Sequence, residues 1–199
     1  MPKIGMEPIR RKALIDATIA EVGAAGSLDV TVGQIAKRAG MSSALAHHYF
    51  GGKDQILLAA MRHILLSFGA RARQDMAKSR TPLERLHAIV AVSFDEHNFD
   101  KEVVAAWLTF YLQAQTSTEA RRLLTIYTAR LHANLVFALK QLTDASAAHR
   151  IAQGVGAMID GFYIRNALME NAPSRHETVA LVNEYIDLHL NHANIRGEK

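Results

Sequence analysis

The chain has 199 residues, 49% of them hydrophobic, with no cysteine and a formal net charge of +4. That length suffices to bury a real core in one large domain or two small ones. The lack of cysteine excludes a disulfide framework and a thiolate metal site, and no apolar run approaches the roughly 18 residues of a membrane span.

The charge is uneven. Residues 1–53 carry seven Lys/Arg against four acids, a balance of +3, and the longer remainder carries +1. A basic N-terminal quarter suits a polyanionic partner, although such an excess is also common on a solvated surface. The opening string MPKIGMEPIRRKALIDATIAEVG is not shaped like a signal peptide, because Asp16 and Glu21 interrupt helically spaced apolar residues. A cytoplasmic location is therefore expected. Only Pro2, Pro8, Pro82 and Pro173 break the chain, and helix formers dominate. The reading is all-α, about nine helices, without repeats.

Residues 1–8 read as an arm holding Lys3, with Arg10, Arg11 and Lys12 on the first turn of the following helix. These cations suit either phosphate contact or mere solubility. The first helix is expected over 9–25, with Ile15, Ile19 and Val22 as its seam and Gly26 as its stop. Thr31 and Gln34 have capping-box spacing, so a second helix begins there, with Val32, Ile35, Ala36 and Ala39 as its apolar stripe. Gly40 ends it in a sharp turn and Ser42 caps a third helix. On that helix Ser42, Ala46, Tyr49 and Phe50 share one side. Ala44 and His48 lie opposite, with Leu45 and His47 on the flanks. Two short helices joined by a glycine turn, the second with a small, polar outer face, form a helix-turn-helix.

Gly51 and Gly52 break the chain, and Lys53 opens a long linking helix over 53–77. The Lys53 ammonium and the start of that helix both attract phosphate oxygens. Pro82 opens a fifth helix over 82–94, and 97–100 is a loop. A sixth helix follows over 101–115, carrying Val104, Trp107, Leu108, Tyr111 and Leu112. Ser117 caps a seventh helix to 142, Ser146 an eighth to 169, and a ninth spans 174–190. The ninth has two apolar sides, Val182 and Ile186 on one, Leu181 and Leu188 on the other. A homodimer through the eighth and ninth helices follows from that surplus, unless two neighbours in one chain cover it.

Trp107, Phe110 and Tyr111 fall at i, i+3, i+4, and Asp160 and Tyr163 at i, i+3. Aromatic faces with a nearby carboxylate can hold a quaternary ammonium, which has no hydrogen to donate. Such stripes more often serve as core. Arg165 is a rival partner for Asp160, and Asp95 and Glu96 are rival carboxylates. No G-x-S-x-G, phosphate loop or metal-ligand cluster points to an enzyme. Gly154 and Gly156 lie inside an apparent helix with the next glycine misplaced at Gly161, so they do not open a dinucleotide fingerprint. The adjacent His47 and His48 point in different directions, which argues against a zinc site, and neither a metal nor a cofactor is expected.

Residues 31–53, T-x-x-x-I-A-x-x-A-G-M-S-x-x-x-x-x-H-Y-F-x-x-K, resemble the DNA-binding domain of the TetR family of bacterial repressors. The N-terminal string, F-D-E at 94–96, A-W-L-T-F at 106–110 and I-D-G-F-Y-I-R at 159–165 resemble, within that family, the choline-responsive repressors of glycine betaine synthesis. The resemblance implies a homodimer with a DNA-binding domain over 1–53 and a ligand-binding and dimerisation domain over 54–199. It implies release or modulation by choline, and no enzymatic activity. It assigns DNA contact to Ser42, Ser43, Ala44, His47, Tyr49 and Lys53, with Tyr49 on a phosphate, and Thr31 and His48 join them as expected contacts. Trp107, Phe110, Tyr111, Asp160 and Tyr163 are the residues expected to hold that effector. His47 stands where the family often has Tyr, and Ala44 where it often has Gly, so the operator sequence is open. A related repressor for a drug or lipid would keep the reading head and change the cage. A helical interaction protein without DNA would lack the steep salt dependence of phosphate contact.

Overall fold

The computed structural model describes residues 6–96 and 99–197. Lys3 and most of the expected arm, with positions 97 and 98 of the expected loop, lie outside them. The described residues form helices and no strand: α1 (Met6–Ala25), α2 (Val32–Arg38), α3 (Ser43–Phe50), α4 (Lys53–Met76), α5 (Pro82–Ser93), α6 (Lys101–Thr116), α7 (Thr118–Leu139), α8 (Ala145–Leu168) and α9 (Arg175–Gly197). None is long and apolar enough to cross a membrane. Helix α1 starts at Met6, earlier than expected, because Pro8 falls in its first turn, where an amide hydrogen has no partner to lose.

Packing divides the chain into two compact units, Met1–Leu66 with Lys101–Leu123, and Ser67–Asp100 with Leu124–Lys199. Helices α4 and α7 give residues to both. The sequence reading divides the chain at Lys53 by expected function; the first packed unit also takes in α6, because α6 packs along α1. Their approach is close at Gly23, where a Cβ would overlap the Glu102 carbonyl.

In this first unit α1 buries Leu14, Ala17, Thr18 and Val22. This corrects the expected seam: Ile15 and Ile19 are only half-buried. Periodicity favours isoleucine over threonine, but the Thr18 hydroxyl donates to the Leu14 carbonyl at 2.7 Å and so enters the core without a lost hydrogen bond. The capping box of α2 is present: Thr31 Oγ1 accepts from the Gln34 amide at 3.1 Å, and Gln34 Oε1 accepts from the Thr31 amide at 2.7 Å.

The second unit is built from α5, α8, α9 and the adjoining parts of α4 and α7. Its core includes Leu86, Ile89, Phe94, Leu135, Leu139, Val155, Ile159, Val182 and Ile186, all at most 1% exposed. Helix α5 carries a second capping box, Thr81 with Glu84, ahead of Pro82. Asp144, not Ser146, caps α8: its carboxylate accepts from the Ala147 amide at 2.9 Å, while Ser146 Oγ accepts from Arg150 at 2.5 Å. Helix α9 turns Val182, Ile186 and Leu190 inward and leaves Leu181 and Leu188 exposed. Gly154 on α8 seats the Tyr185 ring of α9, which a Cβ would overlap, so this glycine serves packing.

Candidate nucleic-acid interface and effector cavity

The turn between α2 and α3 is closed by backbone alone. Gly40 adopts φ +68°, and the Met41 amide donates to the Ala36 carbonyl at 2.8 Å. A side chain at φ of this sign meets its own carbonyl, so glycine is the fitting residue. Ser42 then caps α3, its Oγ accepting from the Leu45 amide at 3.2 Å. Ala46 is fully buried and anchors α3, while Leu45, Tyr49 and Phe50 are half-buried. Ser42, Ser43, Ala44, His47 and His48 are exposed. His47 Nδ1 meets the Gly51 carbonyl at 3.1 Å, and the His48 and Tyr49 rings meet edge to face at 5.4 Å. Thr31 is exposed with its hydroxyl engaged in the capping box, and Lys53 is half-buried at the head of α4.

Helix α1 reaches the end of α3 with two arginines. Arg11 Nη1 donates to the Tyr49 carbonyl at 2.5 Å, and its guanidinium lies 4.4 Å from the Phe50 ring centre. Arg10 Nη1 donates to the Tyr49 hydroxyl at 3.4 Å. Lys12 instead pairs with Asp16 at 2.6 Å, and Arg38 with Glu21 at 2.6 Å. The hydrogen bond to Glu21 raises the Arg38 guanidinium further above its usual range.

The expected effector residues fall in both units. Trp107, Phe110 and Tyr111 belong to the first. Phe110 is fully buried, and Trp107, nearly so, stacks at 5.5 Å on Tyr111. Asp160 and Tyr163 belong to the second. Tyr163 is buried in an aromatic cluster with Phe94 and Phe99, and its hydroxyl donates to the Ser93 carbonyl. Of the rival carboxylates, Asp95 is bonded by Arg71 at 2.8 Å and Glu96 by Arg175 at 3.3 Å.

Asp160 lines a cavity of about 270 Å³ between α7 and α8, together with Tyr127, Leu131, His132, Gln153 and Gly156. Burial pushes the Tyr127 phenol well up, and the Asp160 charge pushes it further. Burial first, then Tyr127, Asp95 and Asp160, raises Tyr163 as well. Both phenols are thus held neutral. Tyr127 and His132 were missed in the sequence. Each shares the Asp160 cavity only across a helix pair, and no local spacing marks that. A larger depression of about 700 Å³ at the α8–α9 turn has Glu170, Glu177 and Glu184 but no aromatic, and it is open to solvent. The described residues hold no group of three or more metal-ligating side chains.

Residues 14–60 match the family described as bacterial regulatory proteins, tetR family, and residues 82–191 match that described as BetI-type transcriptional repressor, C-terminal. The chain belongs to the TetR family of transcriptional repressors, which are DNA-binding regulators and not enzymes. The HTH-type transcriptional regulator BetI of Brucella anthropi is 58% identical to it over 190 residues, covering 96% of this chain and 98% of that one. BetI of Rhizobium meliloti is 50% identical, covering 96% and 94%. Among solved structures, a putative transcriptional regulator of Pseudomonas aeruginosa PAO1 superposes with TM-score 0.81 at 23% identity, covering 95% and 94%. One from Saccharomonospora viridis, in complex with choline, superposes with TM-score 0.77 at 21% identity, covering 89% and 95%. These two likenesses bear on the fold.

Proposed function

We propose that this repressor is a cytoplasmic homodimer that binds operator DNA through α3 and answers to choline, governing genes that convert choline to glycine betaine. The observation that carries the choline reading is the α7–α8 cavity, where a carboxylate, Asp160, and an aromatic, Tyr127, line one small space. A quaternary ammonium needs that pairing, since it is attracted by a ring face and a negative charge and can donate no hydrogen bond. The near full-length identity to BetI proteins and the choline bound by the Saccharomonospora viridis regulator support it. The cation belongs in this cavity in preference to the α6 set, because Phe110 and Trp107 are packed as core.

On the DNA side, Ser43, Ala44, His47 and His48 are the exposed groups aimed at base edges, and Tyr49 and Lys53 take phosphates. Thr31 and Ser42 hold their helices in place, their side-chain oxygens engaged as caps. Choline and DNA compete by population shift: each favours one arrangement of the dimer, and the linkage is reciprocal. The dimer forms through α8 and α9, whose outer faces expose Leu168, Leu181 and Leu188.

The test is a titration of the purified protein with DNA from upstream of its own gene, at fixed salt, with and without choline or glycine betaine. Specific binding weakened by choline alone is expected, and Asp160→Asn should remove the choline effect while sparing DNA affinity. Specific binding indifferent to choline would discard the effector. The second reading, a repressor for bulky drugs or lipids, fits less well. A cavity of about 270 Å³ lies below the roughly 300–1,000 Å³ of sites for drug-sized ligands.

A further inference from the structure

The last carbonyls of a helix have no partner within it, and α3 is only eight residues long. A helix that short does not hold its own shape in water. Its start is fixed by the Ser42 cap and its middle by buried Ala46. At its end the Gly51 amide returns to the His47 carbonyl at 2.7 Å, and the Tyr49 carbonyl receives Arg11 of α1.

We infer that Arg11 is a positioning residue for DNA recognition, fixing the end of α3 so that Tyr49 and the neighbouring Arg10 present donors to one DNA phosphate. This rests on the reading of α3 as the DNA-reading helix. Two contacts turn the Arg11 fork onto α3, the Tyr49 carbonyl at 2.5 Å and the Phe50 ring at 4.4 Å, while Glu7 of α1 lies at 3.7 Å on the exposed side. A cation at a helix C-terminus is favoured by the helix dipole, and the planar guanidinium both donates and stacks, which an ammonium cannot do. With its guanidinium bonded to the Tyr49 carbonyl and laid on Phe50, Arg11 is turned to α3 and not to a phosphate. Arg10 differs. It donates to the Tyr49 hydroxyl oxygen at 3.4 Å. That phenol then accepts from Arg10 and keeps its own hydrogen to donate, a polarised chain of donors suited to an anionic oxygen. The two adjacent arginines therefore divide the work: one shapes α3, the other meets the polyanion.

Salt dependence separates these roles. A side chain that neutralises a phosphate releases a counterion, so its loss lowers the slope of log affinity against log salt by about 0.9, whereas loss of a positioning contact leaves the slope alone. Operator affinity of the full-length protein is measured across a salt series for wild type, Arg11→Met, Arg11→Lys and Arg10→Gln, with thermal melts of each. Arg11→Met should weaken operator binding on the order of tenfold, the worth of a charge-assisted hydrogen bond, at unchanged slope. Arg10→Gln should lower the slope by about one. Arg11→Lys should fall between wild type and Arg11→Met, and it carries the comparison if Arg11→Met does not fold. Wild-type affinity in both Arg11 variants, or a lowered slope in Arg11→Met, overturns the inference. A wild-type protein with no operator preference overturns the α3 reading itself, a result distinct from either.

Discussion

Tyr163 and Tyr127 are buried phenols whose ionisation is opposed by desolvation and by nearby carboxylates. Their folded pKa values are raised, so the folded chain keeps protons that the unfolded chain begins to release near pH 10. Stability from this source is complete below about pH 10 and declines as pH rises beyond it. Denaturation midpoints between pH 8 and 11 should show that decline, and a Tyr127→Phe, Tyr163→Phe double variant should flatten it. Tyr163→Phe alone also orphans the Ser93 carbonyl and should cost about 1–3 kcal/mol at neutral pH. Caps were the residues most legible in sequence. Thr31 with Gln34 was readable because a capping box is a bond between neighbours three apart, and Thr31→Ala should cost about 1 kcal/mol in a melt. Ser146 was misread because Asp144, two residues earlier, is an equally good cap, and the choice between them is made by where the α8 backbone begins.

Among the elements, the helix-turn-helix was legible because its chemistry is local: a cap, a stripe, a glycine with positive φ, another cap. Gly40→Ala should therefore cost about 1–2 kcal/mol, the penalty of a left-handed residue with a Cβ. The face of α1 was not legible. What decides it is α6, distant in sequence, pressing at Gly23, so the seam runs through Leu14, Thr18 and Val22 instead of the isoleucines. Gly23→Ala meets backbone of Glu102, which cannot swing aside as a side chain does. It should destabilise by about 1–3 kcal/mol, the cost of overpacking, while Gly156→Ala, with nothing near its Cβ, should be neutral or stabilising. Paired chemical denaturation curves check both. The effector cavity belongs with the illegible features: Asp160 was visible as a carboxylate in an apolar stretch, but its companions Tyr127 and His132 come from another helix.

For the whole molecule, the sequence division between reading head and body named two functions, and packing drew two units along another line, with α4 and α7 contributing to each. Ridges of exposed leucine remain on α8 and α9, with Leu188 53% and Leu168 73% exposed. Leu188→Arg should shift sedimentation equilibrium toward the monomer and, because two heads must meet two half-sites, weaken operator binding with it. An unchanged dimer would place the interface elsewhere.

If α3 reads DNA as proposed, the contact between His47 Nδ1 and the Gly51 carbonyl bears on which base it prefers. A carbonyl only accepts, so the hydrogen of neutral His47 resides on Nδ1, and Nε2 of this exposed side chain is a bare lone pair. In the major groove a lone pair recognises the exocyclic amino groups of adenine and cytosine and is repelled by the N7 and O6 of guanine. His47 should thus favour an amino-bearing base, and where that base is adenine, its replacement by unsubstituted purine should cost about 1 kcal/mol of binding.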